Sequence, residues 1–237
     1  MTATGYTSTT GDTRKLNRAG DTMTGELTLP DASPDAALNA APRSYVDSAV
    51  LQAVPEQPGD QGLLAWTYDP DQAGHVTAQS SGGVAGRITL TRIILRKSIT
   101  WSNIWLGLSG IDAAAVLANC YLGVYDAAGS LKGVTADISS LLMTNPIAKP
   151  FPLAASFAAA PGTYFIALLL NGTWATNSLT LKCSGAGVSV NANATAPGLR
   201  YSNMLTGQTS LPATLNLAAQ TTTIITTGWA SQWYGVS

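Results

Sequence analysis

Charge is scarce in this sequence. Only 11% of its 237 residues are Asp, Glu, Lys or Arg, against about 25% in an ordinary soluble domain. The formal net charge is −1, and no run of Lys or Arg exceeds two (Arg14-Lys15, Arg96-Lys97). The basic footprint that nucleic-acid binding requires is therefore missing. Long apolar runs are missing too: the longest, YFIALLL (164–170), has the length of a strand, well short of the roughly 20 residues of a membrane span. The N-terminal stretch MTATGYTSTTGDTRK has no apolar segment of the signal-peptide kind. The expectation is a protein made in the cytoplasm, with no membrane insertion.

Reactive side chains are equally sparse. There is one histidine, His75, beside YDPDQAG, which reads as an exposed loop residue. A Ser-His-Asp triad would have to use it, yet no G-x-S-x-G elbow is present. Two cysteines, Cys120 and Cys183, sit in alternating apolar runs. They read as buried free thiols that pack as small hydrophobes, with a disulfide between neighbouring strands as the alternative; zinc would need more ligands. Only two glutamates occur, Glu26 and Glu56, so a glycosidase pair would have to come from aspartates. Those fall mostly at turns (Asp69, Asp71, Asp126), where Asp is favoured by its bonds to the backbone. Asp69-Pro-Asp71 lacks the ligand spacing of an EF-hand, and no P-loop or G-x-G-x-x-G occurs. NGT (171–173) and NAT (193–195) are glycosylation sequons that matter only in a secreted protein. The expectation is no enzyme, no metal and no cofactor.

What is plentiful is apolar and hydroxyl-bearing residues, arranged in two parts. Residues 1–15 are polar and read as a flexible or partner-bound arm. Residues 16–54 hold a turn, a Leu-alternating strand and a helix begun near Pro42. In that helix Tyr45, Val46, Ala49, Val50, Ala53 and Val54 form one stripe. So short a helix is marginal alone in water, and copies of itself about a symmetry axis are the simplest partners. Residues 55–62, PEQPGDQG, read as a linker. From 63 to 237 the pattern is β: 86–95, 99–108, 119–126, 162–172, 178–185 and 221–227 are strand-like, separated by turns such as DAAGS and AAAPG. Pro150-Phe151-Pro152 reads as a break in regular pairing. The fold class expected is mainly β, a short N-terminal strand–helix module followed by an antiparallel β-sandwich of jelly-roll type.

Alternation assigns faces. In WSNIWLGL, Ile104, Leu106 and Leu108 fall on one side, with Trp101, Asn103 and Trp105 on the other. In CYLGVYD, Leu122 and Val124 oppose Tyr121 and Tyr125. The aliphatic sides are expected to form the core and the aromatic sides to need another cover, with Trp101 and Trp105 on an intersubunit face. Aromatic rings beside amides also suit sugar binding, the ring stacking on a pyranose while amides and hydroxyls take its OH groups. The loop NGTWATN supplies Trp174 between Asn171 and Asn177, on a rigid scaffold where recognition is usual. Trp229 and Trp233, in the tail GWASQWYGVS, fit either role.

The segment 16–50 resembles a module of bacteriophage tail-fibre proteins. The resemblance lies in Gly20-Asp21-Thr22-Met23-Thr24-Gly25, in Leu27 and Leu29, and in Tyr45-Val46-Asp47. LGVYDAAGSLKGVTAD (122–137) and PGTYFIALLLNGT (161–173) are similar, more loosely, to β-sandwich domains of phage minor tail and fibre proteins. The resemblance implies a homotrimer assembled through Met23, Leu27, Leu29, Tyr45, Val46, Ala49 and Val50, and attached to other virion proteins through residues 1–54. The module occurs once, which implies a short fibre. Within that context the aromatic and amide surface gives the expected function, binding of a host-surface glycan through Trp174, Asn171, Asn177 and Trp233. The alternative is a head fibre, capsid decoration or baseplate component that packs on virion proteins without a receptor; an embedded depolymerase is a third and weaker possibility.

Overall fold

A computed structural model describes Val46 and residues 56–73, 75–80, 85–174, 177–184, 188–224 and 230–237; at 75–80, 177, 178, 188 and 189 it describes the backbone alone. The chain divides into two units, Met1–Pro55 and Glu56–Ser237. In the first, Val46 is helical and exposed. Met23, Leu27, Leu29, Tyr45, Ala49 and Val50, the other positions expected to drive assembly, lie outside the described residues.

The second unit is mainly β with antiparallel sheets. It begins with a 3-10 turn, Pro58–Gln61, inside the stretch read as a linker. The Gln57 amide donates to Asp60 Oδ2 at 2.8 Å, and Gly62 closes the turn at φ 72°. The strands, in chain order, are β1 (Ala65–Trp66), β2 (His75–Ser80), β3 (Arg87–Leu95), β4 (Ile99–Ile111), β5 (Val116–Leu117), β6 (Tyr121–Asp126), β7 (Leu131–Val134), β8 (Ala148–Ala159), β9 (Gly162–Leu170), β10 (Gly172–Thr173), β11 (Asn177–Cys183), β12 (Tyr201–Asn203) and β13 (Tyr234–Val236). One sheet runs β12-β3-β9-β6-β7. A second runs β1-β13-β4-β11-β2, with β8 also on β4, and β5 and β10 form a two-stranded ladder. His75 thus opens a strand opposite Cys183 and is not in a loop.

The run YFIALLL makes sense in β9, a central strand buried on both faces. Tyr164, Ile166, Leu168 and Leu170 enter one buried cluster, which also takes Ile104, Leu106, Phe151, Leu181 and Tyr234 from strands of the other sheet. Phe165, Ala167 and Leu169 enter a second cluster with Ile88, Leu90, Tyr125, Met204, Leu211, Leu215 and Leu217. Period-2 alternation in β6 holds: Leu122 and Val124 go to the first cluster, Tyr121 and Tyr125 to the second. The cover for those tyrosines is the chain's own segment 204–217, which lies over them; Tyr125 Oη donates to the Pro212 carbonyl at 2.7 Å.

Three expectations are corrected. Trp101 is fully buried in the first cluster beside Ile104 and Leu106, stacked on Phe157 and edge-on to Tyr164, both at 5.9 Å. A β-bulge is the reason. The amides of Ser102 and Asn103 both donate to the Ser237 carbonyl, at 2.9 and 2.7 Å, so one extra residue turns Trp101 to the core side. It therefore faces no other subunit. Next, Pro150 and Pro152 lie within β8, opposite Trp105 and Asn103. Asn103 gives its amide and its carbonyl to Ser237 on its other edge, so no β8 amide is needed opposite it and proline is tolerated there. The irregularity comes just after, where the partners jump from Pro152 to Phe157. Last, among the described residues of 221–227 there is no strand, only a bridge from Thr221 to Asn203 followed by a turn.

Candidate functional site

The tail and the first strand close over a small aromatic cluster. Trp233 is buried there with Leu63 and Ala73, and Trp66, Tyr68 and Trp105 pack around them. Trp233 Nε1 donates to the Tyr68 carbonyl at 3.1 Å and Trp105 Nε1 to Ser237 Oγ at 3.0 Å. Buried indoles with partners of this kind are structural. Trp233 is therefore corrected from a receptor-facing residue to a packing one, while Trp105 is half-buried against its own chain. Nearby, Gln232 Nε2 donates to Tyr201 Oη at 2.8 Å, and Asn191 holds both backbone groups of Tyr201 at 2.8 and 2.9 Å. Burial pushes the phenols of Tyr68, Tyr201 and Tyr234 well above the usual tyrosine range. These are ties between segments.

The loop after β9 is different, because its base is fixed while Thr173 is exposed and Trp174 half-buried. Cys120 is buried and its thiol donates to the Asn171 carbonyl at 3.2 Å, while the Asn171 amide donates back to Cys120 Sγ at 3.4 Å. Burial pushes that thiol up. Both cysteines are buried and neither is in a disulfide. Asn171 Oδ1 accepts from the Gly172 amide at 2.9 Å, so this side chain shapes the turn. At Gly172 φ is 137°, and a Cβ would sit 2.2 Å from the Val116 carbonyl, so only glycine lets the loop cross β5. Gly172 and Thr173 then pair with Leu117 and Val116. Trp174 follows, half-buried, with part of its surface on the first cluster. Asn177 begins β11; its side chain lies outside the described residues.

Beside this ladder is a hollow of about 460 Å³ lined by Ala115, Val116, Leu117, Asp137, Ser139, Ser140 and Met143. Asp137 organises it. Its Oδ1 accepts from Cys120 N at 3.1 Å, Ser139 N at 2.9 Å and Ser139 Oγ at 2.5 Å, and its Oδ2 accepts from Asn119 N at 3.0 Å. Burial alone raises the carboxyl pKa, but these hydrogen bonds outweigh it and hold the group below its ordinary value. The four-residue helix Ser139–Leu142 starts from this carboxylate, and the Lys149 ammonium at its far end donates to the carbonyls of Leu141 and Thr144. Asp137 went unnoticed in the sequence because Asp there looks like one more turn residue. The D-x-S spacing, which lets a carboxylate bond the amide two residues on, was the available signal.

The structure thus keeps Trp174 and Asn171 together, sends Trp233, Trp101 and Trp105 elsewhere, and adds Asp137, Val116 and Ser140. Among the described residues, no three His, Cys, Asp or Glu side chains gather as a metal ion would need, and no helix is long and apolar enough to cross a membrane. No family model matches the chain, and comparisons with curated proteins and with solved structures return no match.

Proposed function

We propose that this chain is a structural virion protein, a short trimeric phage fibre whose second unit binds a host-surface glycan during adsorption. The observation that carries the reading is the stretch from Gly20 to Asp47, with its GDTMTG step and YVD, inside a unit of its own, Met1–Pro55. In this reading residues 1–54 attach to other virion proteins and trimerise, through a strand and a striped helix, and the particle is where the protein resides. The second unit is read as an antiparallel β-sandwich of jelly-roll type, which is supported by the buried cluster shared between strands of its two larger sheets. The glycan role rests on the half-buried Trp174, which follows the ladder residue paired with Val116 of the Asp137 hollow. Trimerisation rests mainly on residues 1–54, since the chain itself covers Trp101 and Tyr125 and half-buries Trp105.

That internal coverage favours one second reading: a head fibre, capsid decoration or baseplate component that packs on virion proteins without a receptor. Two measurements test the reading. Light scattering is expected to give about three times the 24.4 kDa chain mass. Purified protein is expected to bind host envelope and to block adsorption of the phage. A monomer removes the trimer. Immunogold label confined to the capsid, with no envelope binding, replaces the first reading with the second.

A further inference from the structure

The hollow beside Trp174 has a chemistry that selects among sugars, a selectivity that rests on the proposed glycan role. Thr173 pairs with Val116 across the β5–β10 ladder, so Trp174, the next residue, leaves the ladder at the Val116 side of the hollow. Val116 is 65% exposed and, with Met143 and Ala115, gives the hollow an apolar wall. The opposite wall is polar, with Asp137, Ser139 and the exposed Ser140. A carboxylate offers about four acceptor positions, two on each oxygen. Oδ1 of Asp137 already takes three donors, whereas Oδ2 takes one, from Asn119 N. One acceptor position on Oδ2 therefore remains for a hydroxyl.

The one charged residue that lines the hollow is acidic. Asp137 lines it, and Asp112 fixes the turn that leads into its Ala115 wall by accepting from the Ala114 amide at 2.9 Å. The nearby cation, Lys149 of β8, donates to the Leu141 and Thr144 oxygens. A sugar bearing a carboxylate or phosphate would meet the Asp137 carboxylate, with the Lys149 ammonium already engaged by those oxygens, and like charges repel. A neutral sugar fits both walls, its hydroxyls toward Asp137 and Ser140 and its C–H face or a methyl group toward Val116 and Met143.

We infer that the hollow bounded by Val116, Asp137, Ser140 and Met143 is a glycan subsite that takes uncharged sugars and rejects acidic ones. The test applies the full chain to an array carrying hexose, N-acetylhexosamine, sialylated and uronic-acid glycans. Three variants are compared: Val116→Arg, which fills the hollow from an exposed position, Trp174→Ala, and Ile94→Arg as a control at another exposed apolar residue. The expected result is binding confined to uncharged glycans, weakened at least tenfold by Val116→Arg and by Trp174→Ala and unchanged by Ile94→Arg, with the same thermal midpoint for Val116→Arg as for the wild type. Preferential binding of acidic glycans overturns the inference. So does undiminished binding by Val116→Arg, and in that case the receptor reading survives with its site elsewhere. If the wild type binds neither the array nor host envelope, the receptor reading fails and the inference falls with it.

Discussion

Asp137→Asn is expected to loosen the segment behind the candidate site, in a way that depends on pH. The carboxylate accepts from Asn119 N, Cys120 N, Ser139 N and Ser139 Oγ. Cys120 and Ser139 are buried, so their amides have little recourse to water. Hydrogen bonds to a charged group contribute roughly 1.5–3 kcal/mol each, and a buried donor left unpaired costs about 1–3 kcal/mol. Asn keeps one carbonyl oxygen but turns an NH₂ toward one set of donors. The Asp137 side is exposed, so water replaces part of what is lost; the net loss is expected to be about 1–2 kcal/mol. Because the folded pKa of Asp137 lies below its ordinary value, its contribution is complete above the unfolded carboxyl pKa of about 4. It disappears as pH falls through the folded value. Urea unfolding at pH 7 and at pH 3 measures this. The wild type should exceed Asp137→Asn by the stated amount at pH 7, and the gap should narrow at pH 3. Equal midpoints at pH 7, or a gap that does not change with pH, would refute the role given to this carboxylate.

Three further outcomes are expected. Gly129→Ala should destabilise the second unit by about 2–4 kcal/mol in urea, because φ there is 82° and a Cβ would lie 2.1 Å from the Leu215 carbonyl; wild-type stability would show that the 204–217 cover can shift without loss. Tyr68, Tyr125, Tyr201 and Tyr234 are all held above the usual phenol range by burial. Their contribution is therefore present below the unfolded pKa of about 10 and is lost as pH rises beyond it; absorbance at alkaline pH should show them ionising only as the fold opens, and a smooth titration of every tyrosine near the ordinary value would contradict this. Cys120 and Cys183 should resist a thiol reagent in the native protein and both react in denaturant, and rapid native labelling of either would be inconsistent with their burial.

Local sequence rules went as far as local geometry does. In β6 the period of two placed Leu122 and Val124 opposite Tyr121 and Tyr125, because nothing interrupts that strand where they lie. In β4 the same rule misplaced Trp101, because the bulge at Ser102–Asn103 is made by the carbonyl of Ser237, remote in sequence. The prolines of β8 looked like breakers, since whether a strand amide is needed depends on which neighbour lies along that edge. Of the candidate site, Trp174 and Asn171 were legible from turn chemistry. The role of Asp137 was not, because three of its four donors come from Asn119, Cys120 and the backbone of a helix that the sequence does not announce.

What the sequence by itself determined was the β class of residues 63–237, the burial of both cysteines and the run 164–170 as a buried strand, all consequences of composition and period. What only the tertiary structure decided was which aromatics remain available. The segment 204–217 has no period to read, yet it covers Tyr125, and the buried tail takes Trp233 inward. Burying an apolar face depends on which distant surface comes to meet it, and that is settled by how the whole chain packs.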